Sequence, residues 1–128
     1  MIKTSLILIA LFSLIYGLIF LIIPNFFVQL TQAEPINVAW LRNIGASISG
    51  VLFLGLILVY LKPSKNYDLF LIVTVTSIFQ TLGLIFSRFF NEFSAQKMII
   101  IDLTIYSAII VSIYLVYILL NYTSIFKK

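Results

Sequence analysis

The sequence predicts an all-α fold, an integral membrane four-helix bundle that is antiparallel in up-down-up-down order with both termini cytoplasmic. Three observations carry this expectation. Four uncharged apolar runs, 4–23, 44–61, 69–87 and 103–120, are each 18 to 20 residues long, and roughly 20 residues of helix cross the hydrocarbon core of a bilayer. The eight basic and four acidic residues are confined to the stretches between and beside those runs. The runs also lack the polar and apolar alternation of a membrane-spanning strand, which leaves helices to satisfy the backbone in lipid.

Composition points the same way. The chain is 62% hydrophobic and 9% charged, with a mean hydropathy of +1.20, whereas soluble domains carry about a quarter charged residues. The connectors are too short to fold alone, so residues 1–128 form a single domain whose function lies within the bundle or at its ends. Cys and His are both absent. Disulfides, thiol redox chemistry, histidine-ligated metals and a histidine general base are therefore excluded, and no cofactor is expected.

The first helix is expected over 4–23. Lys3 followed by an apolar stretch also describes a secretory signal peptide, but this stretch exceeds the usual 7 to 15 residues and ends in Ile22-Ile23-Pro24-Asn25-Phe26-Phe27, without a small-residue cleavage pattern. We read it as a retained helix in which Tyr16, Gly17 and Phe20 share a face with Ser13 and present an aromatic hydroxyl to the interior. In the connector 24–40, Pro24 closes the first helix and Pro35 interrupts continuation. The mixture of aromatic and polar residues from Asn25 to Leu30 reads as an interfacial segment, resting on the headgroups beside a Trp40 anchor or closing over the bundle as a lid.

The second helix, 41–61, places Arg42 on one stripe with Gly45, Ala46, Ser49 and Phe53. Ala46 and Gly50 form a small-xxx-small pair that favours close approach, with Gly55 following. At the turn 62–67, Pro63 and Asn66 stop this helix before Asp68 caps the next. The third helix, 69–89, aligns Arg88 with Thr81, Ser77 and, at the margin, Gln80, whose amide near the midplane is suited to bridging helices. Gly83 lies near its middle. The fourth, 98–120, aligns Asp102 with Tyr106 and Ile113. Tyr60, Tyr67 and Tyr122 read as interfacial belt residues.

Orientation follows from the basic residues. Lys3, Lys62, Lys65, Lys127 and Lys128 against Asp68 give one side the whole net charge of +4, while Arg42, Arg88 and Lys97 on the other side cancel Glu34, Glu92 and Asp102. Basic residues accumulate on the cytoplasmic side, which places both termini there. Lys127 and Lys128 would meet anionic lipid. No basic cluster interleaved with aromatic residues suggests nucleic acid, so none is expected as a partner.

Packed antiparallel, the helices bring Arg42, Arg88 and Asp102 to one level near the outer end. An ionised side chain facing lipid near mid-depth costs at least ~2.5 kcal/mol, so such charges turn inward and pair. Asp102 with Arg42 or Arg88 is the natural pair, and the three polar stripes imply a shared polar interior lined by Tyr16 and Tyr106. Each residue also has a plainer role: helix-dipole pairing for Asp102, snorkelling for Arg88, packing for the tyrosines and Gln80.

Tyr16-Gly17 with Pro24, Trp40-Leu41-Arg42-Asn43-Ile44-Gly45-Ala46, and then Gly50 and Gly55 resemble the DoxX-like group of small bacterial four-helix membrane proteins. The similarity covers the first half of the chain and extends to the second half only in layout. It implies a compact bundle in the bacterial cytoplasmic membrane, with some relatives proposed as accessory components of membrane redox complexes and distant similarity to sterol-binding four-helix proteins. Arg42 is the polar residue that carries over; no catalytic set does.

Two functions are expected from different classes. A binding protein would recognise the polar end of a lipid-like molecule with Arg42, Asp102, Arg88, Tyr16, Tyr106 and Gln80 in a cavity open to the outer leaflet. An accessory subunit would instead use its glycine faces to dock a membrane protein partner or further copies of itself. Enzymatic chemistry, such as that of an isomerase, would have to run through carboxylate, tyrosine or arginine side chains, with Asp102 as acid or base, and proton exchange of the small multidrug type is disfavoured because the first helix has no acidic residue.

Overall fold

A computed structural model of the chain describes residues 2–34 and 38–126. The expectations placed on Pro35, Lys127 and Lys128 lie outside the described residues. The fold is 88% helical. The helices are α1 (Ile2–Ile22), α2 (Pro24–Thr31), α3 (Val38–Leu61), α4 (Tyr67–Phe89), α5 (Met98–Leu120) and a short α6 (Tyr122–Phe126). α1, α3, α4 and α5 are long and apolar enough to cross a membrane, which makes the chain a multi-pass integral membrane protein by composition.

The punctuation is largely that of proline and asparagine. α1 stops before Pro24, which opens α2 at a first-turn position where a missing N–H does no harm. Between α3 and α4 the chain makes one 3₁₀ turn, Pro63–Lys65. Asp68 does not cap α4 as expected: the helix begins at Tyr67, Asp68 falls in its first turn, and Asn66 holds the cap position. The Asn66 side chain donates instead to the Leu58 carbonyl at 2.8 Å, a second donor to an oxygen that already accepts the Lys62 N–H at the end of α3.

α3 packs along α1, the second half of α3 packs on α4, and α4 packs on α5. The α1–α3 seam is backbone against backbone. A Cβ on Gly45 would stand 2.6 Å from the Gly17 carbonyl oxygen and 2.6 Å from the Leu21 nitrogen, so only glycine fits there, and Ser49 lies against Gly17 one turn on. The expected pair Ala46 and Gly50 is therefore one residue out of register. Ala46 is exposed, and nothing stands within 4 Å of where a Cβ on Gly50 would be. Gly45 and Ser49 are the small-xxx-small pair that meets α1. At this crossing α3 widens into a π-helical segment, Ile48–Phe53, a local irregularity that tends to accompany function.

The apolar core fills the half of the bundle that holds the turn at 62–66. Leu6, Ala10, Leu56, Val59, Phe70, Val73, Leu115 and Ile118 are fully buried there. Tyr122 closes that end. It is buried rather than set in an interfacial belt, its ring lies 5.2 Å from Tyr67, 5.3 Å from Phe70 and 4.7 Å from Phe126, and its hydroxyl donates to the Pro63 carbonyl at 2.6 Å. Burial pushes the Tyr122 phenol above its ordinary pKa, which keeps it in the donating form. Trp40, 68% exposed, keeps the outward position expected of an anchor.

At the opposite end α2 folds over the bundle. Phe27 packs edge-on against Phe20 at 4.7 Å and Tyr16 at 6.5 Å, Thr31 is buried, and Phe26 and Leu30 face outward. Past α2 the chain is pinned to the α4–α5 connector: the Lys97 N–H donates to the Thr31 carbonyl at 3.0 Å, the Gln96 N–H to that of Gln32 at 3.3 Å, and Ala33 pairs with Ala95 as an isolated bridge. The segment is thus a packed cap, closer to the lid expectation than to a loop lying on headgroups.

Candidate functional site

The residues expected to gather in one polar interior fall into four separate contacts, with Tyr106 in none of them. Arg42 is exposed and reaches across the last turn of α1, where Nη1 donates to the Leu21 carbonyl at 2.5 Å and the Ile22 carbonyl at 3.4 Å. The reason is local. Gly17 and Gly45 bring the two backbones together, Arg42 lies one turn before Gly45, and the last carbonyls of a helix lack intrahelical donors. A guanidinium there also complements the negative end of the helix dipole. Arg42 therefore serves as the cap of α1 and does not meet Asp102.

Tyr16 and Gln80 each bridge two helices. Thr104 Oγ1 donates to the Ile100 carbonyl at 2.9 Å, so in the 2.8 Å bond between Tyr16 and Thr104 the phenol is the donor. Tyr16 thereby ties α1 to α5 beneath the Phe20 and Phe27 rings. Gln80 Nε2 donates to Ser47 Oγ at 3.1 Å and joins α4 to α3, as expected of a mid-membrane amide.

The fourth contact is the ion pair. Arg88 Nε lies 2.8 Å from Asp102 Oδ1, joining the last turns of α4 to the first turns of α5 with side chains 40% and 35% exposed. Of the two pairings anticipated for Asp102, the one with Arg88 forms. Tyr106 follows Asp102 by one turn but faces outward, 64% exposed, and so does Ile113. The stripe shared by Asp102, Tyr106 and Ile113 runs along the outer margin of the α4–α5 seam and not into a central cavity.

Below the pair the seam holds a hydroxyl circuit that sequence reasoning found only in part. Ser77 and Thr81 were placed with Arg88; their partner Ser112 was missed. Thr81 Oγ1 donates to the Ser77 carbonyl at 2.9 Å, which commits its proton, so Ser112 donates to Thr81 at 2.9 Å and Ser77 to Ser112 at 2.8 Å. All three side chains are buried. Helical spacing would have found Ser112: Ser77 lies eleven residues before Arg88, and Ser112 ten residues after Asp102.

Over this circuit lies a recess of about 300 Å³ walled by Ile78, Leu82, Ile85, Ile109, Ile113 and Val116, with Thr81 and Ser112 at its floor. It opens laterally between α4 and α5, and its Ile85 end is one helical turn from Arg88. A second recess, about 270 Å³, lies beside the Tyr122 plug between Ser64, Tyr67, Thr123 and Phe126. Among the described residues no group of carboxylates gathers closely enough to hold a metal ion. Comparison of the chain with protein-family models, curated proteins and solved structures yields no match.

Proposed function

We propose that the protein binds a lipid-like amphiphile along the α4–α5 seam, its chain in the apolar recess and its polar head at Arg88 and Asp102. The observation that carries this reading is the continuity of the two features: an apolar groove at the small end of ligand-pocket sizes leads within one turn to a partly exposed ion pair. Tyr106, beside that track, contributes a further hydroxyl at its margin. Arg42, Tyr16 and Gln80, committed to neighbouring helices, hold the bundle in shape instead of touching the ligand.

The contacts between successive helices support the antiparallel arrangement. Leu21 meets Arg42 and Gly17 meets Gly45; Gln80 meets Ser47 and Val73 lies against Gly55; Arg88 meets Asp102 and Ser77 meets Ser112. In each pair of helices, moving forward along one means moving backward along the other. We place both termini on the cytoplasmic side of a bacterial inner membrane, on the basic bias described above. Because the chain has no native Cys, single cysteines at Gln32 and Lys128 test this directly. An impermeant thiol reagent applied to intact cells is expected to modify Gln32→Cys and to spare Lys128→Cys; the opposite pattern reverses the orientation.

A DoxX-like affiliation belongs to the same proposal. Its support is that the motif residues of the first two spans, Gly17 and the Arg42 to Gly45 stretch, meet at one crossing. The second functional reading, an accessory subunit that docks a membrane partner, draws on Gly50 and Gly83, around which no atom stands within 4 Å of a would-be Cβ.

Native mass spectrometry from an amine-oxide detergent separates the two readings. The unmodified protein is expected to retain a lipid-like adduct, and Ile85→Trp, which fills the recess from its wall, is expected to reduce the retained fraction to less than half without lowering thermal stability. Undiminished adducts in Ile85→Trp, or a protein partner in place of a lipid, would overturn the binding proposal.

A further inference from the structure

The recess and the ion pair above it differ in what they offer a ligand, and the difference specifies the head group. In the groove, the hydroxyl protons of Ser77, Thr81 and Ser112 are all committed to one another or to the backbone, and the remaining walls are aliphatic. A polar group on the ligand would find no free donor there, and the hydroxyl oxygens are themselves buried in the seam, so it would be left unsatisfied. The ligand is therefore apolar over the length of the recess, which from Ile78 to Ile85 is seven residues of helix, or about 10 Å.

At the ion pair the situation is reversed. Arg88 uses Nε and Asp102 uses Oδ1 for each other. The Arg88 terminal nitrogens and Asp102 Oδ2 make no hydrogen bond among the described residues, and both side chains are more than a third exposed. A donor edge and an acceptor oxygen thus lie side by side in a unit with no net charge. A carboxylate or phosphate head would gain the guanidinium edge but stand against the Asp102 carboxylate; an ammonium would gain Asp102 but stand against Arg88. A hydroxyl accepts from one and donates to the other, and both bonds are strengthened because the protein partner is ionised.

We propose that the seam selects an uncharged head carrying a hydroxyl, so that the ligand is a long-chain alcohol or a lipid with a free hydroxyl at its polar end. This rests on the amphiphile-binding reading of the same groove. Arg88 and Asp102 act on the ligand as a pair, and their mutual charge cancellation is what rejects ionic heads. Removing one charge converts the site: Asp102→Asn leaves a free guanidinium and a preference for anions, and Arg88→Gln leaves a free carboxylate and a preference for cations.

The test uses one chain length and three heads, dodecanol, dodecanoate and dodecyltrimethylammonium, added to protein in phosphatidylcholine nanodiscs, whose lipid has no free hydroxyl. Binding is followed by ligand-induced thermal shift at pH 8. For the unmodified protein, dodecanol is expected to bind more tightly than either ion by about tenfold, the size of one charge-assisted hydrogen bond. In Asp102→Asn the order inverts in favour of dodecanoate. Equal binding of the three probes, all lost in Ile85→Trp, would overturn the head-group assignment and leave the groove reading standing. Binding of no probe to the unmodified protein would overturn both. A preference for dodecanoate in the unmodified protein, or an order unchanged in Asp102→Asn, would also overturn the assignment.

Discussion

Gly45→Ala is expected to destabilise the bundle by about 3 kcal/mol, the upper end of the usual range for overpacking. The new Cβ would stand 2.6 Å from the Gly17 carbonyl oxygen and 2.6 Å from the Leu21 nitrogen. Both are backbone atoms of α1, so no side chain can turn aside, and the two helices must separate to accommodate a methyl group. Separation also pulls Arg42 away from the Leu21 and Ile22 carbonyls, so a packing defect becomes a capping defect as well. The matched control is Gly83→Ala, where no atom stands within 4 Å of the new Cβ. There the gain in helix propensity, up to about 1 kcal/mol, should leave stability unchanged or raised. Unfolding in mixed micelles of rising denaturing-detergent fraction gives both numbers. Equal losses at positions 45 and 83 would remove the close-approach account of the α1–α3 seam.

Asp102→Asn alone is expected to be the second most damaging of these substitutions, because it strands Arg88 at the edge of the membrane with its charge uncompensated. Arg88→Gln should cost less, since Asp102 lies in the first turns of α5, where a carboxylate remains favourable beside the helix dipole. The double variant should recover more than half of the loss of Asp102→Asn, whereas Asp102→Asn combined with Arg42→Gln should show only additive losses, because Arg42 is bonded to α1 and does not meet Asp102. Thermal unfolding of the singles and the two doubles measures these couplings. Additivity in the Arg88 cycle would contradict a functional ion pair, and coupling in the Arg42 cycle would contradict its assignment as a cap.

The four spans were legible because lipid imposes a demand on every residue of a crossing helix, and composition alone meets or fails it. The ion pair was legible to within one choice of partner, since Asp102 at the mouth of an apolar run needs a cation nearby and antiparallel packing brings Arg42 and Arg88 to its level. What helical spacing could not supply was which stripe of α3 faces which neighbour. Gly45 with Ser49 and Ala46 with Gly50 are both small pairs four residues apart, and only the position of Gly17 on the opposing helix decides between them. That decision rotates Arg42 toward α1 and breaks up the expected common interior. Tyr106 was misplaced for a related reason: it shares a face with Asp102, but Asp102 reaches Arg88 from the margin of the seam, so the rest of that face looks outward. Tyr122 looked interfacial because it follows the last apolar run. The turn at Asn121 into α6 folds it back onto Phe70; the asparagine marks the end of the helix but not the direction in which the chain leaves it.

The contrast between the two seams has a mechanical consequence. α1 and α3 meet through glycine and peptide groups, which have no rotamers to change, so that half of the molecule is stiff. α4 and α5 meet through serine and threonine hydroxyls and the long Arg88 side chain, all of which can rotate and exchange partners while their helices move apart. Lateral parting of α4 and α5, at the mouth of the recess, is therefore expected to cost less than parting of α1 and α3. The clamp of residues 31–33 on 95–97 holds one end of the α4–α5 seam, and Tyr122, packed on Phe70 and bonded to the Pro63 carbonyl, holds the other, so α4 and α5 would part between two fixed ends, like a slit opening onto the bilayer.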